Sequence, residues 1–492
     1  MKSGHFKIPK EVLGVLETMK NGGYEAYLVG GCVRDLLRGE TPKDWDLTTN
    51  AHPEAIEGLF ENTYYNNDFG TVGVVLEESE GKPTHVVEVT PYRLEATYSN
   101  SRHPDSVTFS KNLEDDLKRR DFTMNAIAYD PTEDRIVDLY EGQKDLEKKT
   151  IRAVGKAEDR FGEDALRILR AVRLGAELHF VIAPETEEAI QKTAVNLANI
   201  SKERIRDEFV RILMSQKPME TLLTCERLGV LDYVLPDLKR GIGVEQNQAH
   251  SYDVYEHNLR TLQHAADKGW PLELRLAAVL HDISKPEARR FSKEKNDYTF
   301  HGHEVVGARV AQKVLEDLKF PKKTVEKVVK LVRWHMFFSD PDQITLSAVR
   351  RMVRNVGGEE NMWDLIDLRV CDRIGTGRPK EQPFRLRKYK SMVEEALMDP
   401  TSVAMLNIDG KKVMDITGEK PGPKIGFVLH ALLEQVLDDP KKNTAKHLEE
   451  EAKRLIALPL SELQKLGEQG KEKKEVAHEE SVKELRKKHH VE

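Results

Sequence analysis

Three cysteines, Cys32, Cys225 and Cys371, are all that the 492 residues contain, and no two form a Cys-x-x-Cys pair. That scarcity excludes a disulfide framework and a thiolate zinc site. Nowhere does an apolar run reach the roughly 18 residues that a membrane-spanning helix needs. The N-terminus also lacks the apolar stretch of a secretory signal. A cytoplasmic protein with no membrane partner is therefore expected. Aromatics are sparse, 7% against 33% charged residues, which suits a helix-rich protein. Positive charge is not in excess: the net charge is −7. A nucleic-acid partner would have to be held by local basic patches and not by the field of the whole chain. No internal repeat is present, and the length allows several domains with more than one core.

Against those absences, Tyr27-Leu28-Val29-Gly30-Gly31-Cys32-Val33-Arg34-Asp35 stands out, with Asp44-Trp45-Asp46-Leu47 ten residues on. The apolar run reads as a short strand ending in two glycines, which lack a Cβ and so let backbone N–H groups approach a phosphate. Val33 to Leu37, with Arg34, reads as the opening of a helix whose N-terminus favours anions. In a strand, Asp44 and Asp46 project from one face. Two convergent carboxylates beside a phosphate cradle are what a pair of Mg²⁺ ions requires for phosphoryl transfer. The plain alternative is a turn followed by solvated acids.

Around this stretch, residues 8–21 read as a helix and 27–29, 44–48, 71–76 and 85–90 as strands, the last two β-branched. From about 158 to 236 the apolar spacing becomes helical, and 252–375 is helical and dense in histidine. The breaker Lys420-Pro421-Gly422-Pro423 precedes an apolar helix, Ile425 to Val436, and beyond about 465 the chain is rich in lysine and glutamate. That end reads as a solvated helix or a disordered tail. The expected class is α+β, a small-sheet head followed by helical domains.

Four further strings carry chemistry. Glu88, on a β-branched strand, is either a third carboxylate or an exposed strand glutamate. In Arg119-Arg120-Asp121-Phe122-Thr123-Met124-Asn125, arginine forks suit triphosphate oxygens, while Asp121 and Asn125 suit ribose hydroxyls. In Glu163-Asp164-Ala165-Leu166-Arg167-Ile168-Leu169-Arg170-Ala171-Val172-Arg173, a helix would put Asp164 and Arg167 on one face with Arg170 a turn beyond. Cytosine and adenine each present an amine beside an unprotonated ring nitrogen, so a carboxylate and a guanidinium suit that edge; uracil and guanine reverse both polarities. An ordinary intrahelical ion pair is the alternative. Tyr98-Ser99-Asn100-Ser101-Arg102-His103-Pro104-Asp105 is polar and poor in packing residues, and reads as a mobile loop.

Together these strings resemble the class II, bacterial-type tRNA nucleotidyltransferases and their poly(A) polymerase relatives, over about residues 12–236. The resemblance implies a polymerase-beta-like head at 1–150 and a helical neck at 151–236. It implies catalysis by Asp44 and Asp46 with two Mg²⁺ ions. Nucleotide would be bound by Gly30, Gly31, Arg34, Arg120, Asp121, Asn125, Arg170 and Arg173, with Asp164 and Arg167 choosing the base. His257, His281-Asp282 and Asp372 resemble in order the metal site of an HD domain, placed at 237–385, which suits Mn²⁺, Ni²⁺ or Fe²⁺ and hydrolysis of phosphoesters. Residues 386–465, including Lys424, resemble a tRNA-gripping tail, and 466–492 form a charged extension. The implied activity is addition of C, C and A to tRNA from CTP and ATP. Addition of A or C alone, poly(A) synthesis, or an HD phosphohydrolase with a tRNA-docking head are the rival readings.

Overall fold

The computed structural model describes residues 6–65, 70–79, 82–95, 107–247, 250–337, 343–397, 403 and 406–491. The loop expected at Tyr98–Asp105 lies outside them. The chain divides into two compact units, Met1–Arg333 with Cys371–Arg378, and Trp334–Val370 with Pro379–Glu492.

The first unit begins with α1 (Lys10–Asn21), whose Val12, Val15, Leu16 and Met19 are buried at helical spacing. Then follow β1 (Ala26–Val29), α2 (Gly31–Leu37), β2 (Trp45–Thr49), α3 (Pro53–Leu59), β3 (Thr63–Tyr65), β4 (Val72–Ser79) and β5 (Lys82–Pro91). A short hairpin, β6 (Arg93–Glu95) and β7 (Val107–Phe109), precedes α4 (Leu113–Lys118), β8 (Ile127–Asp130), β9 (Arg135–Asp138) and α5 (Gly142–Glu147). Seven strands form one sheet in the order β3-β4-β5-β2-β1-β8-β9. β2 and β5 run parallel, with Asp46 opposite Glu88. β-Branched side chains fill the sheet's core: Val87 and Val89 are fully buried beside Leu28 and Leu47. The fold is α+β, as the sequence predicts.

Helices follow: α6 (Ala157–Glu163), α7 (Leu166–Leu178), α8 (Pro184–Thr193) and α9 (Lys202–Met214), with α7 packed on α9. One expectation is corrected here. Residues 163–173 are not a continuous helix, because Asp164 has extended backbone angles, φ −142° and ψ 102°. Its carboxylate accepts from the Leu166 N–H at 3.1 Å. A short acidic side chain that satisfies a free amide in this way favours a helix boundary over a helix interior.

In the second unit, helix Leu460–Lys488 packs along Pro423–Asp438 over a core that includes Val428, Leu432 and Leu463. Gly467 and Gly470 permit the close crossing: a Cβ on them would lie 2.8 Å from Phe427 Cα and 2.2 Å from the His430 carbonyl. The charged end is thus the continuation of a packed helix that starts before residue 466. Among the described residues no helix is long and apolar enough to cross a membrane.

Candidate functional site

Gly30 connects β1 to α2 with φ +81°, a conformation that glycine adopts without strain. A Cβ there would stand 3.1 Å from Arg120 Nη1 and 3.7 Å from Asp46 Oδ2, so backbone, guanidinium and carboxylate meet at this turn. β2 starts at Trp45, which leaves Asp44 in the turn just before the strand. Burial raises the Asp46 pKa to about 6; Arg120 opposes this, and the charges of Glu88 and Asp44 add to it. The negative charges of Glu88 and Asp44 thus both act on Asp46, an arrangement that attracts a cation.

The arginines around this point are held from below. Asp116, fully buried on α4, accepts from Arg119 Nη2 at 2.5 Å and Arg120 Nη2 at 2.9 Å. Its second anchor is Thr48 Oγ1, 3.1 Å away on β2. Arg34 Nη1 donates to Asn125 Oδ1 at 3.1 Å, and Asn125 Nδ2 donates to Asp121 Oδ1 at 3.1 Å. Asp121 Oδ2 then accepts from Arg170 Nε and Nη2 at 2.9 and 2.7 Å. The structure thus joins Arg34, Asn125, Asp121 and Arg170 in one chain of hydrogen bonds.

Arg173 is placed differently. Only 2% exposed, it donates to Glu208 Oε2 at 2.6 Å and also pairs with Glu177. Two carboxylates, Glu177 and Glu208, pair with it at the contact of α7 with α9. Asp164 lies before α7 in extended backbone and Arg167 lies inside that helix, so the two are not successive residues of one helix face. Arg167 donates to Glu163 Oε2 at 2.6 Å and to the Arg119 carbonyl at 2.9 Å, while Asp164 is paired with Arg204.

Burial pushes the Asp116 and Asp121 carboxyls up, but Arg119 and Arg120 in one case, and Arg170 with Asn125 in the other, outweigh it and hold each at about 2. A depressed carboxylate contributes stability that is present above its unfolded pKa and is lost as pH falls through the folded value. Acidification from about pH 5 to 2 is expected to remove on the order of 2 kcal/mol for each. Denaturant unfolding across that range checks it, and Asp116→Asn should flatten the pH dependence.

A second cluster lies in the same unit. Helix Val254–Asp267 carries His257, the end of helix Leu272–Leu280 leads to His281 and Asp282, and helix Glu359–Gly375 carries Asp372. A Cβ at Gly375 would lie 2.1 Å from Thr261 Oγ1, so this glycine lets the last helix approach the first closely. His257 Nε2 is 3.0 Å from His281 Nε2, 3.1 Å from Asp282 Oδ2 and 3.4 Å from Asp372 Oδ1. His281 Nδ1 lies 2.9 Å from the Ala278 carbonyl, which fixes a proton there and turns Nε2 inward. Burial lowers the His281 pKa, but Asp282 and Asp372 prevail and raise it to about 9. Two imidazole nitrogens and two carboxylates converging on one point fit a divalent transition-metal cation.

Comparison with known proteins finds matches over the segments that carry the two clusters. Residues 26–152 match the Poly A polymerase head domain, 179–242 the Probable RNA and SrmB- binding site of polymerase A, and 254–374 the HD domain. The chain is 35% identical over 419 residues to an A-adding tRNA nucleotidyltransferase of Deinococcus radiodurans, covering 83% of this chain and 91% of that protein. A CCA-adding enzyme of Leuconostoc mesenteroides is 31% identical over 462 residues, covering 92% of this chain and 98% of that one. The chain belongs to the tRNA nucleotidyltransferase family. Among solved structures, the Bacillus stearothermophilus CCA-adding enzyme in complex with CTP is similar with a TM-score of 0.58 and 28% identity, covering 90% of this chain and 96% of that chain.

For this tRNA nucleotidyltransferase, sequence reasoning missed Asp116, and it placed Arg204 in the string Ser201-Lys202-Glu203-Arg204-Ile205-Arg206-Asp207-Glu208, similar to the family's neck, without giving it a partner. Asp116 had a legible signal, since it precedes Arg119 and Arg120 by three and four residues on a helix. The partner of Arg204 had none, because it is 40 residues away. In the tail, Lys424 is engaged by Glu419 at 3.0 Å.

Proposed function

We propose that the protein adds C, C and A to the 3′ end of tRNA, taking CTP and ATP as substrates. The observation that carries this is the meeting of Asp44, Asp46 and Glu88 with the Gly30 turn and Arg120. In the reaction the terminal 3′-hydroxyl attacks the α-phosphorus, the bond to the β-phosphate oxygen breaks, and pyrophosphate leaves. Asp44 and Asp46, with Glu88 beside them, would hold Mg²⁺, which when bound supplies a polarised hydroxyl and neutralises triphosphate charge. Arg34 and Arg120 bind phosphate oxygens, Asp121 and Asn125 orient the sugar with Arg170 behind them, and Asp164 with Arg167 reads the base edge. The relatives named above add A in one case and CCA in the other. Incubation with tRNA ending at the discriminator base, at C and at CC, with each nucleotide in turn, separates the readings. Extension of all three ends to CCA is expected; A added only to the CC end would mean an A-adding enzyme, and long A tracts a poly(A) polymerase.

The histidine cluster supports a second activity. His257, His281, Asp282 and Asp372 would hold Mn²⁺, Ni²⁺ or Fe²⁺, which when bound supplies activated water for phosphoester hydrolysis. His281→Ala is expected to remove at least about 100-fold of metal-dependent hydrolysis of 2′,3′-cyclic nucleotides and to leave CCA addition within about twofold. Metal content of the purified protein, measured beside both activities, checks this. A wild type that binds no transition metal and hydrolyses nothing would make the cluster a scaffold.

A further inference from the structure

The ion pair between Arg204 and Asp164 links α9 to the junction of α6 and α7, across 40 residues of chain. Arg204 Nη2 donates to Asp164 Oδ2 at 2.7 Å, and Nη1 reaches Oδ1 at 3.2 Å. The fork thus grips both oxygens of one carboxylate, a geometry that fixes its plane as well as its charge. Oδ1 is further fixed by the Leu166 N–H at 3.1 Å. The pair is only part-buried, with Arg204 27% and Asp164 19% exposed, so the carboxylate is held at a surface that a ligand can reach.

The same helix does related work one turn later. Glu208 stands four residues after Arg204, on the same face of α9, and accepts from Arg173 at 2.6 Å. Its other oxygen is 3.9 Å from Arg170 Nη1, and Arg170 is in turn bonded to Asp121. One face of α9 therefore supports both the base-side residue Asp164 and the sugar-side chain through Arg170. Because Asp164 lies off the helix, in extended backbone, α7 alone does not orient it.

We propose that Arg204 is a specificity-positioning residue: its two-pronged grip holds the Asp164 carboxylate in the plane needed to accept from the exocyclic amine of cytosine or adenine. This rests on the reading of Asp164 as a base-selecting group. A carboxylate so held presents only acceptors, and it meets the O4 of uracil or the O6 of guanine as acceptor against acceptor. Freed from Arg204, the same carboxylate rotates, and a bridging water accommodates the wrong base.

The test is single-turnover incorporation of CTP, UTP, ATP and GTP by wild type, Arg204→Ala, Arg204→Lys and Asp164→Ala, each on tRNA ending at C and at CC. For Arg204→Ala the CTP:UTP and ATP:GTP preferences are expected to fall about tenfold. Arg204→Lys, which keeps the charge and loses the fork, is expected to fall between that and wild type. Each preference is a ratio within one preparation, so partial unfolding of a variant cancels. Asp164→Ala separates the two ideas. If it loses selectivity while both Arg204 variants keep wild-type ratios, the role of Arg204 is overturned and the base-reading role of Asp164 stands. If Asp164→Ala keeps wild-type ratios, the base-reading role falls, and this inference with it.

Discussion

Asp46→Asn is expected to abolish nucleotide addition, cutting the single-turnover rate by more than about 100-fold, equivalent to roughly 3 kcal/mol of transition-state stabilisation. Asp44→Asn should behave alike. The amide keeps the shape of the side chain and removes the charge that would bind the metal. Stability should move the other way. Burial, with Glu88 and Asp44 adding, raises the Asp46 pKa to about 6. At pH 7 a carboxylate raised in this way costs folding free energy, so the amide should leave the melting temperature unchanged or higher. tRNA affinity, measured by filter binding, should stay within about twofold because the amide keeps the size and shape of the side chain. Near-normal addition by either variant would put the metal site elsewhere.

Gly142→Ala is expected to unfold or badly loosen the head. A Cβ at residue 142 would stand 2.2 Å from the Thr123 carbonyl oxygen and 2.8 Å from Ile127 Cγ1, and the first of these is backbone. That carbonyl cannot move freely, since it accepts from the Ala126 N–H at 3.0 Å while the Thr123 N–H donates to Arg152 at 2.9 Å. Overpacking of this kind costs about 1–3 kcal/mol and more where backbone must shift. Function should suffer with stability, because the displaced turn, Thr123–Asn125, holds Asn125 against Arg34. Gly162→Ala is the control: nothing lies within 4 Å of its Cβ position inside α6, so it should be neutral or gain a few tenths of a kcal/mol. Thermal melts of the two variants beside wild type, with addition rates below the transition, decide the matter. A Gly142→Ala protein as stable as Gly162→Ala would mean that α5 and the turn separate at little cost.

What the sequence by itself determined is the local part of the site. Strand, double glycine and acidic pair follow within twenty residues, and turn geometry, β-branching and period-two spacing act over that range. The same holds for the arginines of 119–120 and the order of His257, His281, Asp282 and Asp372. The helical reading of Asp164 and Arg167 went astray for a physical reason: periodicity sees spacing, and Asp164 spends its carboxylate on a backbone amide that ends the periodicity. Only the tertiary structure decided the non-local partners. Glu88 joins Asp46 because β2 and β5 pair in parallel, a register in which Val87 and Val89 are buried on one face while Glu88 lies on the other beside Asp46. Arg173 pairs with Glu208 because α9 brings that carboxylate to it. Arg204 reaches Asp164 for the same reason, since side chains tens of residues apart meet only after two helices have packed their apolar faces, and no spacing rule encodes that meeting.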